Sequence, residues 1–184
     1  HNDINQPNRN RLLWRDSSVD GLKTGYTKAA GYWLAASAKR KDMRLISVLL
    51  GSTSAESRAR QTQKLLSYGF RHFDTKKIYA QGDILKENAK VWFGSDDFLN
   101  LTIAQDIVLT LPRRSEKNLV ANIIVDQQLE APIIAGEELG RLQISLAENT
   151  LVDVPLVADK DVSESDLFSR FYDWVVLFFT NLMA

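Results

Sequence analysis

The sequence predicts an α+β fold in three parts, and three patterns carry that expectation. Residues 1–77 hold three strand-length apolar runs followed by one helical stretch. Residues 78–163 hold only short strand-like segments, with polar turns about every 8–12 residues, which marks an all-β sandwich. Residues 164–184 carry apolar side chains at the helical period and form an amphipathic C-terminal helix.

In the first part, residues 1–18 read as an Asn-rich loop, with Leu12-Leu13-Trp14 as a short apolar anchor. Gly21–Thr27, Gly31–Ala38 and Met43–Gly51 are the strands. Lys28-Ala29-Ala30 and Lys39-Arg40-Lys41-Asp42 connect them too briefly for anything but an antiparallel meander. The near-continuous apolar runs of the second and third strands predict cover on both faces. Ser52-Thr53-Ser54 caps a helix with Glu56 in its first turn. That helix is expected to run to about Tyr68 and stop at Gly69, with Ala55, Ala59, Leu65, Leu66 and Tyr68 inward. Arg58, Arg60, Gln61 and Lys64 read as solvated by default, and His72 as a packing residue.

In the second part the strand candidates are Ile78–Ala80, Ala89–Phe93, Leu99–Ile103, Ile107–Leu111, Leu119–Val125, Glu130–Ile134, Gly140–Leu146 and Thr150–Leu156. Asp96-Asp97 and Glu137-Glu138 lack further ligands at useful spacing and read as solvated turns rather than a metal site. Asp159–Ser165 is a polar linker.

In the last part Asp166, Ser169, Arg170, Asp173, Thr180 and Asn181 share one stripe. Phe168, Phe171, Trp174 and Phe178 lead the opposite face, with Leu167, Val175, Phe179 and Leu182. This is an in-plane membrane helix, too short and too striped to span, with Trp174 and Tyr172 suited to the headgroup region. One Arg against two Asp gives little pull toward anionic lipid, so apolar burial must dominate. The alternative is a helix docked on its own core.

Composition narrows the function classes. Of 184 residues, 23 are Lys or Arg and 23 are Asp or Glu, so no bulk field favours nucleic acid. With no Cys and two His, a disulfide framework, a thiolate site and a His-based metal site are not expected. No signal peptide and no bilayer-spanning run is visible. The first residue is His, so a processed product or a fragment is expected.

The chemistry is centred on Lys23-Thr24-Gly25, inside Val19–Thr27. Lysine supplies a fixed charge, threonine a hydroxyl that donates or accepts, and glycine a backbone that a ligand can approach. The bland alternative for this triplet is a Gly-kinked edge strand with a surface Lys.

Asn8-Arg9-Asn10, Leu12-Leu13-Trp14, Val19–Thr27, Ala30-Gly31-Tyr32, Met43–Ser47, Lys64–Phe70, Val91-Trp92-Phe93-Gly94 and Ala131-Pro132-Ile133 together resemble the type-5 penicillin-binding proteins, the D-alanyl-D-alanine carboxypeptidases of bacterial cell-wall maintenance. The resemblance implies the last strands and helix of a β-lactamase/transpeptidase-like domain, then a β-rich stalk, then a membrane anchor. It implies a periplasmic enzyme, peripheral on the inner membrane, that trims the terminal D-Ala from peptidoglycan pentapeptides and is acylated by β-lactams. It implies no cofactor.

By that resemblance Lys23 places charge near the substrate carboxylate and assists proton movement, and Thr24 hydrogen-bonds the carboxylate. Gly25 leaves room for the substrate, and the Tyr26 backbone N–H is half of the oxyanion hole. Arg58 would steer the terminal carboxylate, with a solvated helix Arg as its alternative, and Arg9 supports. The family often has His where Tyr26 stands; a backbone N–H survives that change. The family also needs Ser-x-x-Lys and Ser-x-Asn motifs. Neither occurs in this sequence. The nucleophile is therefore expected on a missing N-terminal catalytic segment, and this chain alone is expected to be inactive. A different class of function, a non-catalytic membrane-anchored β-domain binding an envelope partner, stays open. A soluble β-lactamase fits less well with the β region and the aromatic tail.

Overall fold

The computed structural model of the chain describes residues 6–126 and 128–183, with 180–183 as backbone only. The loop expected over residues 1–5 and the faces expected for Thr180, Asn181 and Leu182 lie outside the described residues. Two compact units emerge: His1–Lys76 with Thr110–Arg114, and Lys77–Leu109 with Ser115–Ala184. Residues 110–114, read from sequence as part of 78–163, thus belong to the first unit, and 164–184 belong to the second.

The first unit begins with α1 (Leu12–Arg15) and continues through β1 (Val19–Thr27), β2 (Gly31–Arg40), β3 (Met43–Ser52) and α2 (Ala55–His72). The strands form the expected antiparallel meander in the order β1-β2-β3. Side chains alternate across a strand, so Leu34, Ala36, Ala38 and Met43 face α2 and close a core with Leu12, Ala59, Leu66 and Phe70. The intervening residues Trp33, Ala35, Ile46, Val48 and Leu50 face away. Trp33 and Ala35 are half-buried, with Trp33 packed over Gly25, while Ile46, Val48 and Leu50 are 65%, 63% and 69% exposed. The apolar runs predict two buried faces; here only one is filled. Trp14, read as part of an anchor, is exposed, while Leu12 is fully buried in the core and Leu13 packs against it.

Helix α2 departs from expectation in two ways. It continues through Gly69 to His72, because Gly69 serves close packing rather than a stop: a Cβ there would meet the Leu45 side chain at 2.5 Å. Its buried face is Arg58, Ala59, Thr62, Leu66 and Phe70, while Leu65 and Tyr68 are exposed. Ser54 caps the helix by accepting the Ser57 N–H at 3.1 Å.

The second unit takes in most of β4 to β11: β4 (Phe73–Tyr79), β5 (Ile84–Trp92), β6 (Phe98–Ile103), β7 (Ile107–Pro112), β8 (Leu119–Val125), β9 (Leu129–Glu130), β10 (Glu138–Leu146) and β11 (Asn149–Ala158). Its large sheet runs β8-β10-β11-β6-β5-β9, and β4 pairs with β7. Leu101, Ile103, Leu142, Ile144 and Leu156 centre the core. The β5 strand starts earlier than expected. Ile84–Asn88 lie outside the expected Ala89–Phe93 strand but belong to β5: Asn88 takes a left-handed conformation, and register shifts on both sides of Lys86 absorb the irregularity. The strand expected over Glu130–Ile134 shrinks to Leu129–Glu130, since Pro132 has no N–H to give.

Residues 159–165 are not a free linker. Ile133 bridges Val162, Gly94 bridges Glu164, and the Ser95 N–H donates to the Ser163 carbonyl at 2.7 Å. They lead directly into α3 (Leu167–Met183), capped by Asp166, whose carboxylate accepts the Ser169 N–H at 2.8 Å.

One ion-pair cluster gives the first unit a pH signature. Glu56 binds Arg15 at 2.7 Å and Arg11 at 2.9 Å, tying the α1 region to α2. The Arg15 hydrogen bonds, with those of Arg11, hold the Glu56 carboxyl down at about 2. Its folded value lies below the ordinary 4.5, so the contact stabilises fully above that pH and is lost as pH falls toward 2. Urea unfolding of Glu56→Gln should show a small deficit at pH 7 that shrinks as the pH falls toward 2 and also shrinks in high salt, because the pair is solvent-exposed.

Candidate functional site

The hairpin register builds the site. From the Thr27–Gly31 connection, Tyr26 falls opposite Tyr32, Gly25 opposite Trp33, Thr24 opposite Leu34 and Lys23 opposite Ala35. Among the described residues β1 pairs with β2 alone, which leaves its other edge open there. Alternation then divides the motif between two faces.

On the α2 face, Thr24, Gly25 and Tyr26 line a cavity of about 410 Å³ with Tyr32, Arg58 and the Asn8-Arg9 segment. Arg58 is 4% exposed, which overturns its reading as a solvated helix residue. Its Nη2 donates to the Arg9 carbonyl at 2.9 Å, and its Nη1 to the carbonyls of Gly25 and Trp33, both at 3.4 Å. The guanidinium sits 5.7 Å from the Tyr32 ring, which packs against the Tyr26 ring at a tilt of 39°, centroids 4.5 Å apart. Burial first, then the charge of Arg11, pushes the Arg58 pKa down. Its described partners are neutral carbonyls, while the nearby Glu56 is engaged by Arg11 and Arg15. A buried cation so placed, beside a threonine hydroxyl and at an open strand edge, suits a carboxylate.

On the opposite face, Lys23 lies 5.7 Å from the Trp33 ring and donates to the Thr24 carbonyl at 2.7 Å. Lys23 is therefore not among the residues lining the Arg58 cavity. Gly25 has a second neighbour here: a Cβ built on it would fall 1.9 Å from the Trp33 ring. The room that the glycine leaves is occupied by indole.

The structure thus gathers Thr24, Gly25, Tyr26, Arg58 and the Arg9 backbone, and sets Lys23 apart. The Arg9 side chain is exposed; its carbonyl makes the contact. Sequence reasoning missed Asn10, Tyr32 and Trp33. Asn10 is buried; its side chain donates to the Gly21 carbonyl at 3.2 Å and accepts the Leu12 N–H at 3.2 Å. Counting register back from the Thr27–Gly31 turn would have found both aromatics. Among the described residues no cluster of His, Asp and Glu could hold a metal ion.

Helix α3 presents a second surface. Its polar side is the one turned to the protein: the Asp173 carboxylate accepts the Phe93 N–H at 2.8 Å, Arg170 pairs with Glu164 at 2.6 Å, and Leu177 is buried. Phe168, Phe171, Trp174, Phe178 and Phe179 are exposed, with Phe171, Trp174 and Phe178 in a continuous ring stack. A helix docked on its own core would have the reverse polarity. No helix among the described residues is long and apolar enough to cross a membrane.

Comparison with known proteins agrees with both halves. The family model for the penicillin-binding protein 5 C-terminal domain matches residues 73–164, half of the chain, and the D-alanyl-D-alanine carboxypeptidase model matches residues 1–54. The chain belongs to the penicillin-binding protein 5 family. It is 41% identical to the D-alanyl-D-alanine carboxypeptidase DacC of Escherichia coli over 97% of its own length, and 39% identical to DacA of the same organism, also over 97%. It spans 45% and 44% of those relatives. The crystal structure of penicillin-binding protein 5 from Haemophilus influenzae matches 89% of the chain at 36% identity with a TM-score of 0.76, the match covering 48% of that protein. That of the carboxypeptidase DacD from Francisella tularensis matches 87% at 35% identity with a TM-score of 0.63, covering 40% of that chain.

Two substitutions test the geometry. Gly25→Ala should displace the Trp33 ring and cost about 1–3 kcal/mol of stability, most of it recovered in the Gly25→Ala/Trp33→Ala pair relative to Trp33→Ala alone. A cycle of urea-unfolding measurements reads this directly. Asp173→Ala should raise the exchange rate of the Phe93 amide by at least about tenfold, measured by hydrogen exchange.

Proposed function

We propose that this chain is the C-terminal part of a serine-type D-alanyl-D-alanine carboxypeptidase that removes the terminal D-Ala from peptidoglycan stem pentapeptides and is acylated by β-lactams. The observation that carries the reading is the Lys-Thr-Gly edge strand lying over a buried Arg58 that has only neutral described partners, in a chain of this family. Thr24 and Arg58 hold the substrate's terminal carboxylate from the cavity side. The Tyr26 N–H supplies half of the oxyanion hole at the open edge. The other half and the nucleophilic serine come from the segment carrying Ser-x-x-Lys, absent from this sequence.

Lys23 belongs to the other face. There it lies over Trp33 and opposite Ala35, beside the exposed Ile46, Val48 and Leu50 patch. We infer that the remainder of the catalytic domain packs on this patch and brings its acid–base groups to the Lys23 side, where the lysine assists proton movement. The two faces of β1 then divide the work between carboxylate binding and proton transfer.

The α3 helix holds the enzyme on the periplasmic face of the inner membrane, as a peripheral anchor. Its outward aromatic side supports this reading over the docked helix. Arg170 and Asp173 are both occupied within the unit, so attraction to anionic headgroups contributes little and apolar burial carries the binding.

Incubated with fluorescent penicillin, the isolated chain should give no covalent band, because the wall it carries can orient and stabilise but cannot attack; stable labelling would sink the fragment reading. In co-sedimentation with neutral lipid vesicles the chain should bind in a largely salt-independent way. Truncation after Glu164, or the Trp174→Ser/Phe178→Ser pair, should abolish binding, and unchanged binding would remove the anchor.

A further inference from the structure

Strand β8, Leu119-Val120-Ala121-Asn122-Ile123-Ile124-Val125, is an edge with none of the usual protections. It pairs with β10 alone among the described residues. Five consecutive residues, Val120 to Ile124, are exposed. The strand contains no charge, no Pro and no Gly, and such an edge is a template for another strand. Both faces are apolar. Ala121 and Ile123 lie opposite the fully buried Ile144 and Leu142, so the inner row of the sandwich core runs out to an open side. Val120 and Ile124, on the outer face, are 53% and 50% exposed.

The sequence around the strand says what fits. Lys117 precedes it and Asp126 follows it, both exposed. Parallel pairing with an identical strand would set like charge beside like. Antiparallel pairing brings Lys117 of each copy to the Asp126 end of the other. With the two-fold on Asn122, Leu119 meets Val125, Val120 meets Ile124, and Ala121 meets Ile123, each small or medium residue opposite a complementary one. The paired asparagines can hydrogen-bond across the axis.

We propose that β8 is a homodimer interface: two copies of this chain join their large sheets edge to edge, antiparallel, about an axis through Asn122. A two-fold contact of this kind closes on itself and does not propagate into fibres. It extends the inner row of each core, with Ile123 of each copy seated beside Ala121 of the other. This inference is independent of the catalytic reading, and it concerns a strand distant in sequence from every residue assigned to the site.

The chain has no cysteine, so single thiols report the register. Asn122→Cys places the two new sulfurs on the axis, where opposite Cα atoms lie about 4.5–5.5 Å apart, within disulfide reach. Val120→Cys places its two thiols about 13 Å apart and should not cross-link. With the full chain in mild detergent covering α3, sedimentation should give a dimer. Mild oxidation should cross-link the Asn122→Cys variant and not the Val120→Cys variant. Ile123→Lys should yield a folded monomer by circular dichroism and sedimentation. Lys117→Asp and Asp126→Lys should each weaken the dimer about two- to five-fold, and the double swap should restore it. A monomer at all concentrations overturns the proposal. So does a dimer that survives Ile123→Lys but is lost with Trp174→Ser/Phe178→Ser, or a cross-link in the Val120→Cys variant without one in the Asn122→Cys variant.

Discussion

The buried guanidinium of Arg58 is the constraint on which the first unit depends. It leaves α2, passes beneath the sheet and donates to carbonyls from three separate segments: Arg9, Gly25 and Trp33. Removing it would take away one of the ties between the N-terminal segment and the sheet, beside the Asn10 hydrogen bonds and the Glu56 ion pairs. Neutral carbonyls accept from part of the guanidinium but do not balance its charge. A buried cation held in this way costs stability until an anion arrives, and it sits beside Thr24 at an open strand edge. Under the proposed function the side chain that ties these segments together is also the one that would hold the substrate's carboxylate. A solvated arginine at this position would serve neither.

In the second unit several contacts hold α3, the Arg170–Glu164 pair and buried Leu177 among them. One carboxylate, Asp173, accepts the Phe93 N–H at a turn where Phe93 has a positive φ, and Gly94 leaves no room for a Cβ beside Val162 and the Asp96 carbonyl. The helix is fixed by its polar stripe, which leaves the aromatic stripe outward. A helix with the same composition but hung on a free linker could turn either face inward. The bridges at Ile133–Val162 and Gly94–Glu164 remove that freedom.

Much of this is legible in the sequence, for physical reasons. Strong alternation and short connections specify the meander, and the turn spacing exposes most strands of the second unit. The failures share a cause. Gly69 reads as a stop and Arg58 as solvent-facing because local preference is silent about a partner brought by the fold: Leu45 in one case, three carbonyls in the other. The start of β5 lies outside the expected strand because Lys86, Glu87 and Asn88 break the apolar pattern at an irregular register. Trp33 is invisible as a site residue until register places it over Gly25. The motif residues Lys23, Thr24 and Gly25 can be picked out by type; their division between two faces needs the strand geometry.

The central claim is that the chain contributes one wall of an acyl-transfer site and depends on a partner segment for the other. Complementation measures it most directly. The N-terminal segment of a relative, carrying Ser-x-x-Lys and Ser-x-Asn, is mixed with this chain and challenged with fluorescent penicillin. We expect covalent labelling on the added segment that appears only with both partners present and is lost when Val48→Glu blocks the uncovered sheet face. Labelling of the added segment at full rate without this chain, or labelling indifferent to Val48→Glu, would contradict it.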